Sequence, residues 1–291
     1  MTRSLLSPLA WLAGVLFSLA AVAGHAGVVD AQLPSGKMAS ANYQAGHKGQ
    51  PAVLVLHGFL QTRAFPTVTS IVEAASTAGY TTLAPTLTLG ISRRNKSLPC
   101  EAVHVHTLDE DVAEVASWVR WLMKTGHSRV VLVGHSYGNL QLLTYLRRNP
   151  LPAVKQVLMI SLTDVEMKQG AQQRVRLAEE LRDRMHQKNN ALVTAEFGHC
   201  KKYVSPPAPL LSYLTISRDS ILEALVHAPV PVEVIMGAKD DRMGQDWVEK
   251  LVARGIVVRV IPGASHFFDN QYEFDLQEVV LKALQDKHSK L

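Results

Sequence analysis

The sequence predicts an α/β fold: a mostly parallel central sheet with helices on both faces and an inserted helical cap. Three observations predict it. Short continuous apolar runs recur: "AVLVL" at Ala52–Leu56, "RVVLV" at Arg129–Val133, "QVLMI" at Gln156–Ile160 and "PVEVIM" at Pro231–Met236. Runs of this length, rich in β-branched residues, read as strands buried on both faces. Segments with helical spacing separate them, and that alternation belongs to a parallel sheet. From 163 to 229 the alternation stops. The chain there turns polar and mostly helical, rich in Arg, Glu and Gln up to Asn190. This stretch reads as the cap.

The elements follow in order. Val28–Ala45 holds short alternating segments split by "LPSGK", a β-hairpin or two edge strands. Ala52–Leu56 is a buried strand ending at His57-Gly58. Pro66–Gly79 is helical, with Pro at its start and Gly at its end. Tyr80–Leu83 is the next strand, and Leu87–His106 a polar, irregular loop. Thr107 and Glu110 then make a T-x-x-E capping box. Leu108, Val112, Val115 and Val119 follow on one helix face, and Gly126 ends that helix. Arg129–Val133 is a strand, Tyr137–Arg148 a helix and Gln156–Ile160 a strand. Beyond the cap come strand Pro231–Met236, helix Gln245–Arg254, strand Ile256–Ile261 and helix Tyr272–Gln285. Within the cap, the apolar "APLLSYL" (Ala208–Leu214) either walls a pocket or packs as cap core.

Composition narrows the function. Of 291 residues, 47% are apolar and 19% charged, which supports a sizeable core and argues against disorder. The net charge of +5 is dispersed. The densest basic patch, "SRRNK" at Ser92–Lys96, reads as a solvated loop, so no nucleic-acid partner is expected. At the N-terminus one Arg precedes an apolar stretch, Leu5–Ala23, followed by small residues. Residues 1–26 therefore read as a secretory signal peptide, and residues 27–291 as the exported domain, periplasmic or secreted. The alternative is an uncleaved membrane anchor over residues 5–23. Export makes Cys100 and Cys200 a disulfide candidate, with two unpaired thiols as the other reading.

Active sites of open α/β sheets lie at the carboxyl ends of the strands. At one such end stands "GHSYG", Gly134–Gly138, between a strand and a helix. A Ser on so tight a turn projects its hydroxyl clear of the sheet, and its neighbours have no room for side chains. A hydroxyl is a weak nucleophile and needs a base. His266 in "PGASHFF" follows the last apolar strand. The base needs an acid to orient it, and "GAKDDRMG" offers Asp240 and Asp241 after the preceding strand.

With these residues the chain resembles the α/β-hydrolase superfamily, in its exported, bacterial, serine esterase and lipase-like form. The match lies at "HGF" (His57–Phe59), "GHSYG", "GAKD" (Gly237–Asp240) and "GASHF" (Gly263–Phe267), and spreads over roughly residues 50–286. The resemblance implies a G-x-x-D acid, which favours Asp240 over Asp241, with Asp164 a distant third. It implies oxyanion donors at the backbone N–H of Tyr137 and of Phe59, with Leu60 the runner-up. It also implies that Ser136 attacks a carbonyl carbon and passes through an acyl-enzyme. A Ser at the nucleophile position argues against the dehalogenase and epoxide-hydrolase branches.

The expected partner is a small-molecule acyl substrate, an ester first, with no cofactor and no metal. Thioesterase, amidase, peptidase and perhydrolase activities use the same three residues. An exported binding protein without catalysis is the rival of another class. Among the other histidines, His57 is expected to support the oxyanion loop and His135 to shape the elbow. His104 and His106 alternate near Glu101, where a metal site is conceivable but no third ligand is placed, and His199 beside Cys200 is similar and weakened by the disulfide candidate, so no metal is expected.

Overall fold

A computed structural model describes residues 26–148, 150–166, 170–244 and 246–286. The expected signal peptide lies, up to its last residue, outside them. Strands β1 (Ala26–Gln32) and β2 (Met38–Gln44) form the expected N-terminal hairpin. Then follow β3 (Ala52–Leu56), helix α1 (Pro66–Thr77), β4 (Thr81–Thr86), α2 (Leu108–Lys124), β5 (Val130–His135), α3 (Gly138–Arg147) and β6 (Val154–Ile160). Helix α4 (Gly170–His186), strands β7 (Val193–Phe197) and β8 (Cys200–Ser205), and helices α5 (Pro207–Leu214) and α6 (Arg218–Val226) come next. Strand β9 (Val232–Gly237), α7 (Trp247–Ala253), β10 (Val257–Ile261) and α8 (Tyr272–Gln285) complete the described chain.

Eight strands form one sheet in the order β1-β2-β4-β3-β5-β6-β9-β10. The β1–β2 and β2–β4 pairs are antiparallel, and the other five are parallel. Period-2 alternation divides the apolar runs between two cores. Leu54 and Leu56 of β3, Leu132 of β5 and Met159 of β6 point to one face, where α2 and α3 pack. Val53, Val55, Val131, Val133, Leu158 and Ile160 point to the other, against α1 and α8. Each strand is thus covered on both sides, which is why these runs are continuous in apolar character. Helix α2 starts at the expected reciprocal cap. The Glu110 N–H donates to Thr107 Oγ1 at 3.2 Å, and the Thr107 N–H to Glu110 Oε2 at 2.9 Å. Leu108, Val112, Val115 and Val119 are all buried.

Two expectations need correction. The 163–229 stretch is not simply helical, because β7 and β8 form an antiparallel hairpin inside it. Its turn is Gly198-His199, with Gly198 at φ 60°. Val193, Phe197, Cys200, Tyr203 and Ser205 are buried, and this inward set makes the segment a strand pair. The "SRRNK" patch is not simply a solvated loop either. Arg93 is exposed and pairs with Asp30 at 2.9 Å, but Arg94 is only 4% exposed. It is buried because four backbone carbonyls and the His57 ring saturate its guanidinium, as described below. The "APLLSYL" segment is α5, and its Leu210, Tyr213 and Leu214 join the core on the α2 face.

Candidate active site

Ser136 sits between β5 and α3 at φ 54°, a left-handed conformation that costs a non-glycine residue strain. Its neighbours explain their own identity. A Cβ on Gly134 would stand 2.4 Å from Asn139 Oδ1, and one on Gly138 2.7 Å from the His57 carbonyl oxygen and 2.9 Å from that of Leu56. The elbow therefore approaches the end of β3 more closely than any side chain permits. It is pinned by the Ser136 N–H to the Ile160 carbonyl at 2.9 Å, and by Asn139 Nδ2 to the same oxygen at 2.9 Å.

Two more strand ends deliver the partners. The loop after β10 carries His266, and the loop after β9 carries Asp240. They are packed together at Gly237, where a Cβ would stand 2.5 Å from the Ala264 and Ser265 carbonyl oxygens. The Ser136 hydroxyl lies 2.9 Å from His266 Nε2, and His266 Nδ1 lies 2.7 Å from Asp240 Oδ2. The His266 and Asp240 side chains are 5% and 1% exposed, so this relay is shielded from water. Burial lowers the His266 pKa below the ordinary histidine value. The Asp240 hydrogen bond and charge oppose the shift, and the Arg242 charge reinforces it. Burial pushes Asp240 up, but the hydrogen bond and charge of His266, with the Arg242 amide, outweigh it and hold the carboxyl below its usual value. A neutral imidazole thus faces the hydroxyl, with an ionised carboxylate behind it.

The backbone of His266 is fixed as well. Its carbonyl accepts the Ser161 hydroxyl at 2.7 Å and the His135 Nε2–H at 3.2 Å. Burial pushes the His135 pKa down to about 3, so the ring stays neutral. His135 therefore shapes the site from beneath. Asp241 is exposed, and Asp164 is buried in an ion pair with Arg218. Neither reaches His266.

The amides of Phe59 and Tyr137 donate no hydrogen bond among the described residues. Above them sits the β7–β8 turn. The Phe59 ring packs on Tyr137 at 4.6 Å, on His199 at 5.0 Å and on Phe197 at 5.6 Å. A disulfide joins Cys100 to Cys200 and ties the Leu87–His106 loop to this hairpin. Val103 also bridges Val204, and the His104 N–H donates to the Val204 carbonyl at 2.8 Å. Sequence reasoning missed this hairpin above the elbow.

His104 and His106 have structural partners. His104 stacks on Tyr203 at 4.1 Å. His106 Nδ1 lies 3.2 Å from Asp111 and 3.0 Å from the Tyr213 hydroxyl. Cys100, His199 and Cys200 cluster closely enough to hold a metal ion, but the two sulfurs are joined to each other and offer no thiolate. Among the described residues no helix is long and apolar enough to cross a membrane.

The fold that carries these residues has parallels among solved structures. Est1E from Butyrivibrio proteoclasticus superposes with a TM-score of 0.62 at 14% identity, covering 91% of this chain and 99% of its own. The hydrolase GrgF from Penicillium sp. sh18 gives 0.63 at 13%, covering 90% and 99%. The esterase domain from a Rhodothermus marinus protein gives 0.59 at 15%, covering 90% and 98%. At these identities the likeness is one of fold. No curated protein matches in sequence. The sequence profile of the Alpha/beta hydrolase family does match, over residues 53–280. That span runs from β3 through the elbow to α8, and the chain belongs to the α/β-hydrolase family.

Proposed function

We propose that this hydrolase is an exported serine esterase in which Ser136 is the nucleophile, His266 the general base and Asp240 the acid that orients it. The observation that carries the reading is the buried hydrogen-bonded relay of 2.9 and 2.7 Å behind a Ser at positive φ. Ser136 Oγ attacks the ester carbonyl while its proton passes to His266 Nε2. Asp240 stabilises the resulting imidazolium without taking the proton. The tetrahedral oxyanion takes hydrogen bonds from the Phe59 and Tyr137 amides, which have no other acceptor among the described residues. Collapse expels the alcohol, protonated by His266. Water, deprotonated by His266, then releases the acid from the acyl-enzyme.

Preference for an ester draws on the Rhodothermus structure, which is that of an esterase domain, and on the Butyrivibrio protein, which has been solved with ferulic acid bound. Export through residues 1–26 is supported by the disulfide, a feature of oxidising compartments. Residues 163–229 serve in this reading as a cap over the acyl pocket.

The test is a panel of p-nitrophenyl esters of graded acyl length, with methyl ferulate, on the mature protein beside Ser136→Ala. Turnover should fall by about 10⁴-fold or more in the variant, with its melting temperature unchanged. A variant that keeps the wild-type rate would remove Ser136 from the mechanism. A folded wild type that turns over no ester and takes no label from a serine-reactive phosphonate would favour a binding protein.

A further inference from the structure

Arg94, from the patch expected to be solvated, is buried under the candidate oxyanion loop. A guanidinium has five N–H donors, and here each has an acceptor. Nε donates to the Leu87 carbonyl at 2.7 Å. Nη1 donates to the Lys96 carbonyl at 2.8 Å and the Leu60 carbonyl at 3.4 Å. Nη2 donates to the Gln61 carbonyl at 2.7 Å and to His57 Nε2 at 3.2 Å. His57 Nε2 also accepts the Leu87 N–H at 3.0 Å, which places its proton on Nδ1. Nδ1–H then donates to the Gly58 carbonyl at 2.8 Å. Burial, and then the Arg94 charge, push the His57 pKa down to about 3, so the ring remains a neutral relay.

The direction of one amide follows. The Gly58 carbonyl and the Phe59 N–H belong to one trans peptide, so they point in opposite directions. The carbonyl is held by His57 and by the Gln61 N–H at 3.2 Å. The Leu60 carbonyl, at a residue with φ 56°, is held by Arg94 and by the Leu98 N–H at 3.0 Å. The loop's carbonyls are thus drawn toward Arg94 and His57, and the Phe59 N–H faces the other way. We propose that Arg94 is a positioning residue for the hydrolysis, aiming the Phe59 N–H at the oxyanion through His57 and the loop carbonyls. The inference rests on the proposed role of the Phe59 amide. A lysine could not replace it, since one ammonium with three donors cannot span five acceptors arranged around a planar fork.

The test compares wild type with Arg94→Lys on the best p-nitrophenyl ester. Competent sites are counted by phosphonate titration. A boronic acid inhibitor, whose tetrahedral adduct on Ser136 places an oxygen where the oxyanion forms, reports the donor directly. Losing an oxyanion donor outright costs about 10²–10³ in kcat, and a misaimed one retains part of its strength. The expected result is a kcat per titrated site about 10–100-fold lower, KM within about 2-fold, and a boronate inhibition constant raised by the same factor as kcat falls. A kcat per site and boronate affinity at the wild-type level, with only the melting temperature lowered, would overturn the role. Should Arg94→Lys not fold, His57→Asn breaks the same relay while leaving the guanidinium its four carbonyls. Unchanged kcat per site there overturns the proposal equally. A wild type that neither labels nor hydrolyses defeats the hydrolase reading itself. An active wild type with an equally active Arg94→Lys defeats only this one.

Discussion

Replacing both Cys100 and Cys200 with Ala opens a loop of sequence separation 100. In the chain-entropy treatment, closing a loop of that length removes denatured-state freedom equivalent to about 4.7 kcal/mol at 25 °C. For a domain of this length, 1 kcal/mol corresponds to a shift of about 2 °C in melting temperature. The double variant should therefore melt about 9 °C lower than wild type in calorimetry. Wild type in excess dithiothreitol should fall by about the same amount, because both treatments remove the same constraint. Thiol titration of denatured, unreduced wild type should find none. The hairpin that the bond tethers packs on Phe59, so ester turnover should fall in parallel at temperatures well below melting. A drop smaller than about 3 °C, or two titratable thiols, would refute the reasoning. It would mean that the loop and the hairpin hold each other without the covalent link.

Three further outcomes are expected. Asp240→Asn should cost about 10⁴-fold in kcat by leaving the His266 tautomer unsupported, whereas Asp241→Asn, at an exposed carboxylate, should stay within about 2-fold; steady-state kinetics on one ester decides. Gly138→Ala drives a methyl to 2.7 and 2.9 Å from two backbone carbonyl oxygens, so it should cost about 1–3 kcal/mol by urea unfolding and about 10²-fold in kcat. Acid should destabilise the fold: His57 and His135 titrate at about 3, and His104 at about 4, all lowered first by burial, so the unfolded chain binds more protons between pH 6.5 and 5. Glu114, raised by burial to about 7, acts in the opposite sense. The net difference grows from under about one proton at pH 6.5 to about two at pH 5, so the loss steepens to about 2.7 kcal/mol per pH unit at the acid end, and Glu114→Gln should add about 1 kcal/mol per pH unit across the window. A flat stability from pH 6.5 to 5 would contradict these burials.

The strands and the elbow were legible because their signals are local. Continuous runs such as Ala52–Leu56 announce burial on both faces, and Gly134-x-Ser136-x-Gly138 announces a turn with no room for side chains. Asp240 and Asp241 differ only in their spacing from Gly237. What separates them is the packing of two loops at that glycine, which the sequence reflects only as G-x-x-D. The β7–β8 hairpin was obscured for a different reason. Lys201 and Lys202 interrupt its alternation, and a register shift between Ala195 and Phe197 breaks the period. Arg94 carried no local signal at all. Its acceptors come from residues 57, 60, 61, 87 and 96, and only the folded chain gathers them around one side chain.

The base enters this site later in the chain than its partners. His266 follows β10, and its loop is anchored outside the sheet's centre. The Phe267 carbonyl accepts the Thr67 hydroxyl of α1 at 3.0 Å, and Gln277 of α8 reaches Ser70 Oγ at 2.9 Å. The elbow and the buried core on the α2 face are thus made from residues that precede the imidazole, whereas the core on the α1 face takes Phe268, Leu276, Val280 and Leu284 from beyond it. Hydrolytic competence would arise only once α8 has docked on α1. In the proposed mechanism, a fragment ending before β10 would carry Ser136 without its base.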